Sequence, residues 1–191
     1  MARRLTSSLL SAIIVLAWAP VASAQWSAAG VTGIVDEADL NIHSFNSTGS
    51  VSIKSSVASG TLDIRYPVQT LPNLLIPQPL DCTDMRVNLR DTGPGARVIV
   101  RFMALSIFPG SGTQLTSLAE IDSDTRPPVG DPNQYRSYSV CLNNLSPGSE
   151  HLIDYSFFAY YVDVQLIKTA AGANPGLMSL QICNSQDACD P

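Results

Sequence analysis

Apolar residues in this sequence recur at every second position, and that period constrains the fold more than any other feature. In residues 61–66 apolar and polar side chains alternate strictly, and the same alternation is present in residues 51–57, 85–90 and 178–182, and more weakly in residues 38–42. A period of two places successive side chains on opposite faces of a β-strand. These segments are therefore predicted to be strands with one buried face.

Three longer segments refine this pattern. Residues 98–108 are mostly apolar on both faces and Arg101 is their only charged residue, which predicts a central strand. In residues 152–168 the apolar positions change from odd to even near Phe158, which favours a β-bulge within one long, bent strand. Residues 115–121 fit either one short helical turn or an edge strand.

Turn sequences separate these runs at short intervals, for example Asn174-Pro175-Gly176. No window after residue 30 carries a convincing helical stripe. The sequence therefore predicts an all-β fold, an antiparallel β-sandwich of roughly eight to ten strands, for which a jelly roll is one arrangement. Residues 25–191 are long enough for a single sandwich domain of this kind.

The first 24 residues have the three zones of a secretory signal peptide. Arg3 and Arg4 precede an apolar stretch at residues 9–18, and Ala22-Ser23-Ala24 forms a small-residue cleavage site. The apolar stretch is shorter than the roughly 20 residues that a membrane-spanning helix needs. We therefore expect a secreted or periplasmic protein that is not inserted in the membrane after cleavage.

The charge of residues 25–191 argues against nucleic acid as a partner. This part of the chain holds nine basic and 16 acidic residues, a formal charge of −7. Lys54 and Lys168 are its only lysines, and the arginines are scattered rather than clustered. A nucleic-acid-binding surface instead needs a concentrated set of cations to neutralise phosphates.

Four cysteines follow the signal peptide: Cys82, Cys141, Cys183 and Cys189. An even number in an exported chain predicts two disulfides, for which three pairings are open. The short spacing of Cys183 and Cys189 favours a bridge between them, leaving Cys82 to pair with Cys141. A zinc site is not expected, because the chain has neither a C-x-x-C pair nor histidines at ligand spacing.

Catalytic groups are sparse. The two histidines, His43 and His151, adjoin turns, and no G-x-S-x-G sequence provides a serine nucleophile. Glycoside hydrolysis requires only two facing carboxylates, which strands from distant parts of a chain can bring together. Asp36, Asp154 and Asp163 are examples of such dispersed carboxylates.

A structural calcium ion is the one cofactor that the sequence suggests. Asp122, Asp124 and Asp131, with Asn133, lie in a polar loop and carry the hard oxygen atoms that calcium prefers. Their spacing matches no EF-hand, so a loop that is merely polar is the alternative.

Aromatic side chains on polar faces are candidates for stacking on a sugar ring. Tyr161 lies on the polar face of its predicted strand, and Tyr135 and Tyr138 follow a proline-rich loop. Ordinary edge packing is the alternative for all three tyrosines.

These features favour a non-enzymatic β-sandwich with a binding or surface-assembly role and a carbohydrate or surface-protein partner. The alternative is a secreted, glycan-acting hydrolase with dispersed carboxylates. A third class, a pilus-like subunit completed by a neighbour's strand, needs an alternating N-terminal extension. Residues 26–35 alternate poorly, which disfavours that class.

Overall fold

The computed structural model describes residues 25–69, 83–107, 115–126, 131–141, 155 and 158–184. Within these ranges the chain forms eleven strands and three short 3₁₀ turns. The strands are β1 (Gln25–Ala29), β2 (Ile34–Val35), β3 (His43–Phe45), β4 (Val51–Ile53), β5 (Gly60–Val68), β6 (Thr83–Arg90), β7 (Ala96–Ser106), β8 (Leu115–Asp122), β9 (Arg136–Cys141), β10 (Phe158–Lys168) and β11 (Gly176–Asn184). The described residues include no helix long and apolar enough to cross a membrane.

The strands form two antiparallel sheets, which confirms the predicted β-sandwich. Sheet A has the order β3-β4-β11-β6-β9, and β1 also pairs with β11. Sheet B has the order β2-β5-β10-β7-β8. Apart from β3–β4 and β7–β8, described strands that follow one another in the chain lie in different sheets. Such interleaving is typical of Greek-key and jelly-roll connections.

The core lies between the sheets and is built by the alternation seen in the sequence. In β5, Leu62 and Ile64 are fully buried while Thr61 and Arg65 are exposed. In β7, Phe102 is fully buried and its ring stacks on that of Tyr160 at a centroid distance of 5.6 Å. A fully buried side chain of this kind contributes roughly 1.5–3 kcal/mol relative to an exposed one. The alternating faces thus provide the main stabilisation of the sandwich.

Residues 38–42 do not form the predicted strand. A 3₁₀ turn covers Glu37–Asp39 instead, because Asp36 Oδ1 accepts a hydrogen bond from the Ala38 amide at 3.0 Å. Asp39 Oδ2 then accepts from the Asp63 amide at 2.9 Å. Short acidic side chains that bond to nearby backbone compete with strand pairing. The weak apolar alternation is overridden here.

A β-bulge corrects the predicted inner face of the last strand. The pairing of β11 with β6 shifts between Leu177 and Ser179, so Leu177 is fully buried. Met178 is only half-buried, and its sulfur accepts from Asn88 Nδ2, 3.5 Å away. The prediction that Met178 lies in the core is therefore wrong, because the extra residue of a bulge moves it off the inner face.

The other long segments agree with their predictions where the structure describes them. Residues 115–121 lie in the edge strand β8, and β7 is flanked by β10 and β8 as expected for an interior strand. In residues 51–57 only β4 is a strand. The bulge predicted near Phe158 does not occur within β10, which begins at Phe158 and pairs with β7 without a register shift, and residues 156 and 157 lie outside the described residues.

The strand order restricts the disulfide pairing. The backbones of Cys141 in β9 and Cys183 in β11 both align with Asp84, which lies on β6 between them. Two strand spacings place their Cα atoms roughly 10 Å apart, whereas a disulfide spans less than about 7 Å. A Cys141–Cys183 bridge is excluded, which leaves two of the three pairings. Cys82 and Cys189 lie outside the described residues, so the favoured pairing remains a prediction.

Candidate functional site

The outer face of sheet A carries a groove of about 330 Å³ across the edge strand β9 and its neighbours β6 and β11. In the register of the sheet, Arg86 of β6 aligns with Ser139 and Gln181, and Asn88 aligns with Ser137 and Ser179. The described residues that line the groove are Arg86, Val87, Asn88, Ser137, Tyr138, Ser139, Ser179 and Gln181. We call this feature the sheet A groove.

The groove follows directly from side-chain size. Serines of β9 and β11 flank Asn88 on both sides, and Ser139 of β9 lies beside Arg86. Because side chains on adjacent strands stand about 5 Å apart, a short neighbour leaves open space beside a long one. The alternating pattern Ser-x-Ser in β9 thus creates a depression with hydroxyl, amide and guanidinium groups on its walls.

Asn88 uses little of its hydrogen-bonding capacity inside the protein. Its Nδ2 donates to the sulfur of Met178 at 3.5 Å, and its buried Oδ1 has no partner among the described atoms. A thioether sulfur is a weak acceptor, and a buried polar atom without a partner costs about 1–3 kcal/mol. Turning the carboxamide toward a ligand would therefore sacrifice little protein–protein bonding.

Tyr135 and Arg90 close one end of this face. The Arg90 guanidinium lies 4.9 Å from the centre of the Tyr135 ring. It also donates to the backbone oxygen and Oδ1 of Asn174, at 3.1 and 2.8 Å. A β-carbon on Gly176 would come within 2.8 Å of the Tyr135 hydroxyl, so this glycine lets the ring lie against the sheet.

The three predicted tyrosines do not form one binding surface. Tyr135 lies at the end of the sheet A face, and Tyr161 is half-buried on the outer face of sheet B. Tyr138 aligns with the buried Val87 and packs against the core, so its ring is not a stacking platform. Trp26 also packs against the core. Tyr138 nevertheless lines part of the groove, and Tyr135 lies beyond its end, against Arg90.

The predicted calcium ligands all have partners within the protein. Asp122 is bound by Arg97 through two hydrogen bonds, of 3.0 and 2.5 Å. Asp124 lies 3.5 Å from the same guanidinium, and Asp131 caps its own turn by accepting from Asn133 at 2.9 Å. No group of three metal-ligating side chains occurs among the described residues. The calcium site remains a prediction without support from this geometry.

The dispersed carboxylates also have structural partners. Asp163 of β10 lies on the outer face of sheet B, 3.8 Å from Arg65 and 3.9 Å from Arg101. Asp63 on β5 accepts from Gln165 Nε2 at 2.8 Å. Burial raises the pKa of Asp163 above its ordinary value, and Asp63 adds to that rise while both arginines oppose it. Asp154 and His151 lie outside the described residues.

Asp122 and Asp163 are expected to affect stability with opposite signs. The hydrogen bonds from Arg97 lower the pKa of Asp122, so its contribution is present above the unfolded value of about 3.9 and is lost as pH falls through the lower folded value. The pKa of Asp163 is raised, so its ionised form destabilises the fold above that raised value. At pH 7 we expect Asp122→Asn to lower the melting temperature and Asp163→Asn to raise it.

Thermal unfolding between pH 7 and pH 3 checks this pair of expectations. Both differences from the unsubstituted protein should shrink as the carboxyl groups become protonated. Because the two substitutions are chemically identical and both sites lie in sheet B, each serves as the control for the other. Shifts of the same sign at pH 7 would contradict the assignment.

The groove residues were not singled out by sequence reasoning. The polar face of β6, with Arg86 and Asn88, is visible in the alternation of residues 85–90. The sequence does not show that β9 and β11 flank that strand, and only this pairing assembles the groove. The alternation of Tyr138 and Val140 with Ser137 and Ser139 was a usable signal that Tyr138 points inward.

No protein-family model matches the sequence, and no curated protein matches it. Solved structures that resemble it include a family two carbohydrate esterase from Cellvibrio japonicus (10% identity, TM-score 0.38, 88% of this chain and 36% of that chain). Another is a carbohydrate-binding module of the β-sandwich superfamily (10% identity, TM-score 0.38, 85% of this chain and 56% of that chain). A third is a family 11 carbohydrate-binding module from Clostridium thermocellum in complex with a mixed-linked tetrasaccharide (12% identity, TM-score 0.36, 83% of this chain and 86% of that chain). The chain thus spans about a third of the esterase.

Proposed function

We propose that this protein is a non-enzymatic, exported β-sandwich that binds a glycan in the sheet A groove. The observation that carries the proposal is the groove itself, where neutral hydrogen-bonding side chains from three adjacent strands converge around about 330 Å³. Sugar hydroxyls both donate and accept hydrogen bonds, as do the serine hydroxyls and the amides of Asn88 and Gln181. Export rests on the signal-peptide pattern of residues 1–24.

The chemistry of the groove favours binding over hydrolysis. Its described lining contains serine, asparagine, glutamine and arginine side chains but no carboxylate or imidazole. Glycoside cleavage needs a carboxyl pair, and a serine nucleophile needs a neighbouring base. The carboxylates Asp63 and Asp163 lie on the outer face of the other sheet. A glycan held in the groove would therefore meet no described acid–base pair.

The shape of the groove suits an extended ligand. It lies on the open face of a sheet, and its lining comes from the middle of β6 and from both neighbouring strands. A polymer could thus cross the groove and continue beyond it at both ends. Tyr135 lies at one of these ends, where its ring faces Arg90.

The test is affinity electrophoresis of the oxidised, signal-free protein in gels containing glucomannan, mixed-linkage β-glucan or polygalacturonate. At least one polymer should retard the protein, and the double substitution Asn88→Ala with Gln181→Ala should reduce that affinity by about tenfold or more, since each lost hydrogen bond is worth about 0.5–1.5 kcal/mol. Gln165→Ala is the matched control, because this glutamine lies on the outer face of sheet B. The Gln165→Ala variant should bind each polymer as tightly as the unsubstituted protein does.

Two results would contradict the proposal. One is a double variant that remains folded and binds as tightly as the unsubstituted protein. The other is release of reducing ends from any of these polymers that a single Asp163→Asn substitution abolishes. The second result would establish the alternative, a secreted hydrolase with dispersed carboxylates.

A further inference from the structure

The arginines on the two outer faces differ in their partners. On sheet B, three arginines lie within 4 Å of a carboxylate: Arg65 of Asp163, Arg97 of Asp122, and Arg101 of Glu120. Described carboxylates outnumber arginines on that face. These three arginines therefore serve internal ion pairs.

Two arginines near the sheet A groove, Arg90 and Arg126, bond to neutral oxygens instead. Arg126 Nη1 donates to the backbone oxygen of Ser139, a groove residue, at 3.0 Å. Arg90 donates to the two oxygens of Asn174. Neither arginine forms an ion pair with a described carboxylate. A neutral acceptor fixes a guanidinium without cancelling its charge, so both add to a positive potential at the groove.

A third arginine lies in the groove itself. Arg86 lines its wall, and the described carboxylate next to it on β6 is Asp84, whose pKa is raised by burial and lowered by Arg86. Arg86 thus lies in the groove and Arg90 and Arg126 lie near it, while Asp91 directly follows Arg90 and Asp124 comes two residues before Arg126. The described lining of the groove carries Arg86 and no carboxylate, so its own charge is positive although the whole chain has a formal charge of −5.

We propose that the glycan of the sheet A groove is an acidic one, a polysaccharide of uronic acid units whose carboxylates meet Arg86 and Arg126. This inference rests on the proposed function. A guanidinium presents a planar pair of donors that matches a carboxylate and binds it more strongly than it binds a neutral hydroxyl. The serine and amide groups between the arginines then bond to the hydroxyls of the same sugar units.

The experiment compares polygalacturonate with glucomannan by titration calorimetry of the signal-free protein. At low ionic strength we expect polygalacturonate to bind at least about tenfold more tightly, and its affinity to fall as salt is added. Arg126→Gln should weaken polygalacturonate binding about three- to tenfold and leave glucomannan binding unchanged, as expected for loss of one partly exposed charge. Arg65→Gln, on the outer face of sheet B, is the matched control and should change neither affinity.

The outcomes separate this inference from the proposed function. Equal or tighter binding of glucomannan, abolished by the Asn88/Gln181 double substitution, overturns the acidic ligand and leaves the glycan-binding groove intact. Equal weakening by Arg65→Gln and Arg126→Gln would mean that polygalacturonate responds to overall charge, which also overturns it. If polygalacturonate, glucomannan and mixed-linkage β-glucan all fail to bind, both proposals are overturned.

Discussion

Phe102→Ala is expected to destabilise the folded protein by about 3–5 kcal/mol, close to the whole stability of a marginal domain. Phe102 is fully buried in β7 and its ring stacks on Tyr160 across to the neighbouring strand. Removing the ring leaves a cavity between the sheets. The surrounding strands cannot move in to fill it, because hydrogen bonds to neighbouring strands on both sides fix the backbones of β7 and β10. Urea unfolding monitored by circular dichroism should show a large fall in the midpoint.

Phe45→Ala is the matched control for this substitution. Phe45 lies on the edge strand β3 and remains 45% exposed, with His43 as its ring neighbour. Its loss should cost less than about 1 kcal/mol, as for most substitutions outside a packed core. Equal costs at the two phenylalanines would contradict the described position of the core.

The second large effect is expected at Gly30, where β1 ends. A β-carbon at this position would lie 2.3 Å from the Leu177 backbone oxygen and 3.0 Å from the Val51 nitrogen. The Tyr66 hydroxyl donates to the Gly30 oxygen at 2.6 Å, so the backbone cannot retreat without breaking a buried hydrogen bond. Gly30→Ala should therefore destabilise the protein by about 2 kcal/mol or more.

Thermal and urea unfolding of Gly30→Ala measure this effect, with Ser27→Ala as the control on the same strand. Ser27 is exposed, and its replacement should change the free energy of unfolding by less than about 0.5 kcal/mol. A Gly30→Ala variant as stable as Ser27→Ala would show that β1 does not approach Leu177 and Val51 as closely as described.

The sequence was sufficient to assign faces but not to assign neighbours. The alternation in β5 and β6 identified which side chains enter the core, because burial of one face imposes that period on any strand. Pairing between β6, β9 and β11 depends on how distant segments pack, and a period of two is the same whichever strand lies alongside. The sheet A groove exists only through that pairing.

Local departures from the period were also hard to foresee. The extra residue at Met178 shifts the inner face of β11. Methionine is an ordinary apolar residue for a strand, so nothing in the sequence marks this position as a bulge. The turn after Asp36 depends on a side-chain hydrogen bond that competes with a weak strand pattern. In both places a single local interaction outweighs the alternation, which describes the average environment of a strand.

The pairing of β1 with β11 joins segments about 150 residues apart, since Trp26 aligns with Ile182. Contacts between such distant segments carry a large loop-closure entropy and are formed late in folding. Strand β11 also supplies partners to β4 and β6. Until its residues are synthesised, three strands of sheet A expose unpaired backbone, a state that invites association between chains. We therefore expect the chain to be most prone to association before β11 is available to complete the sheet.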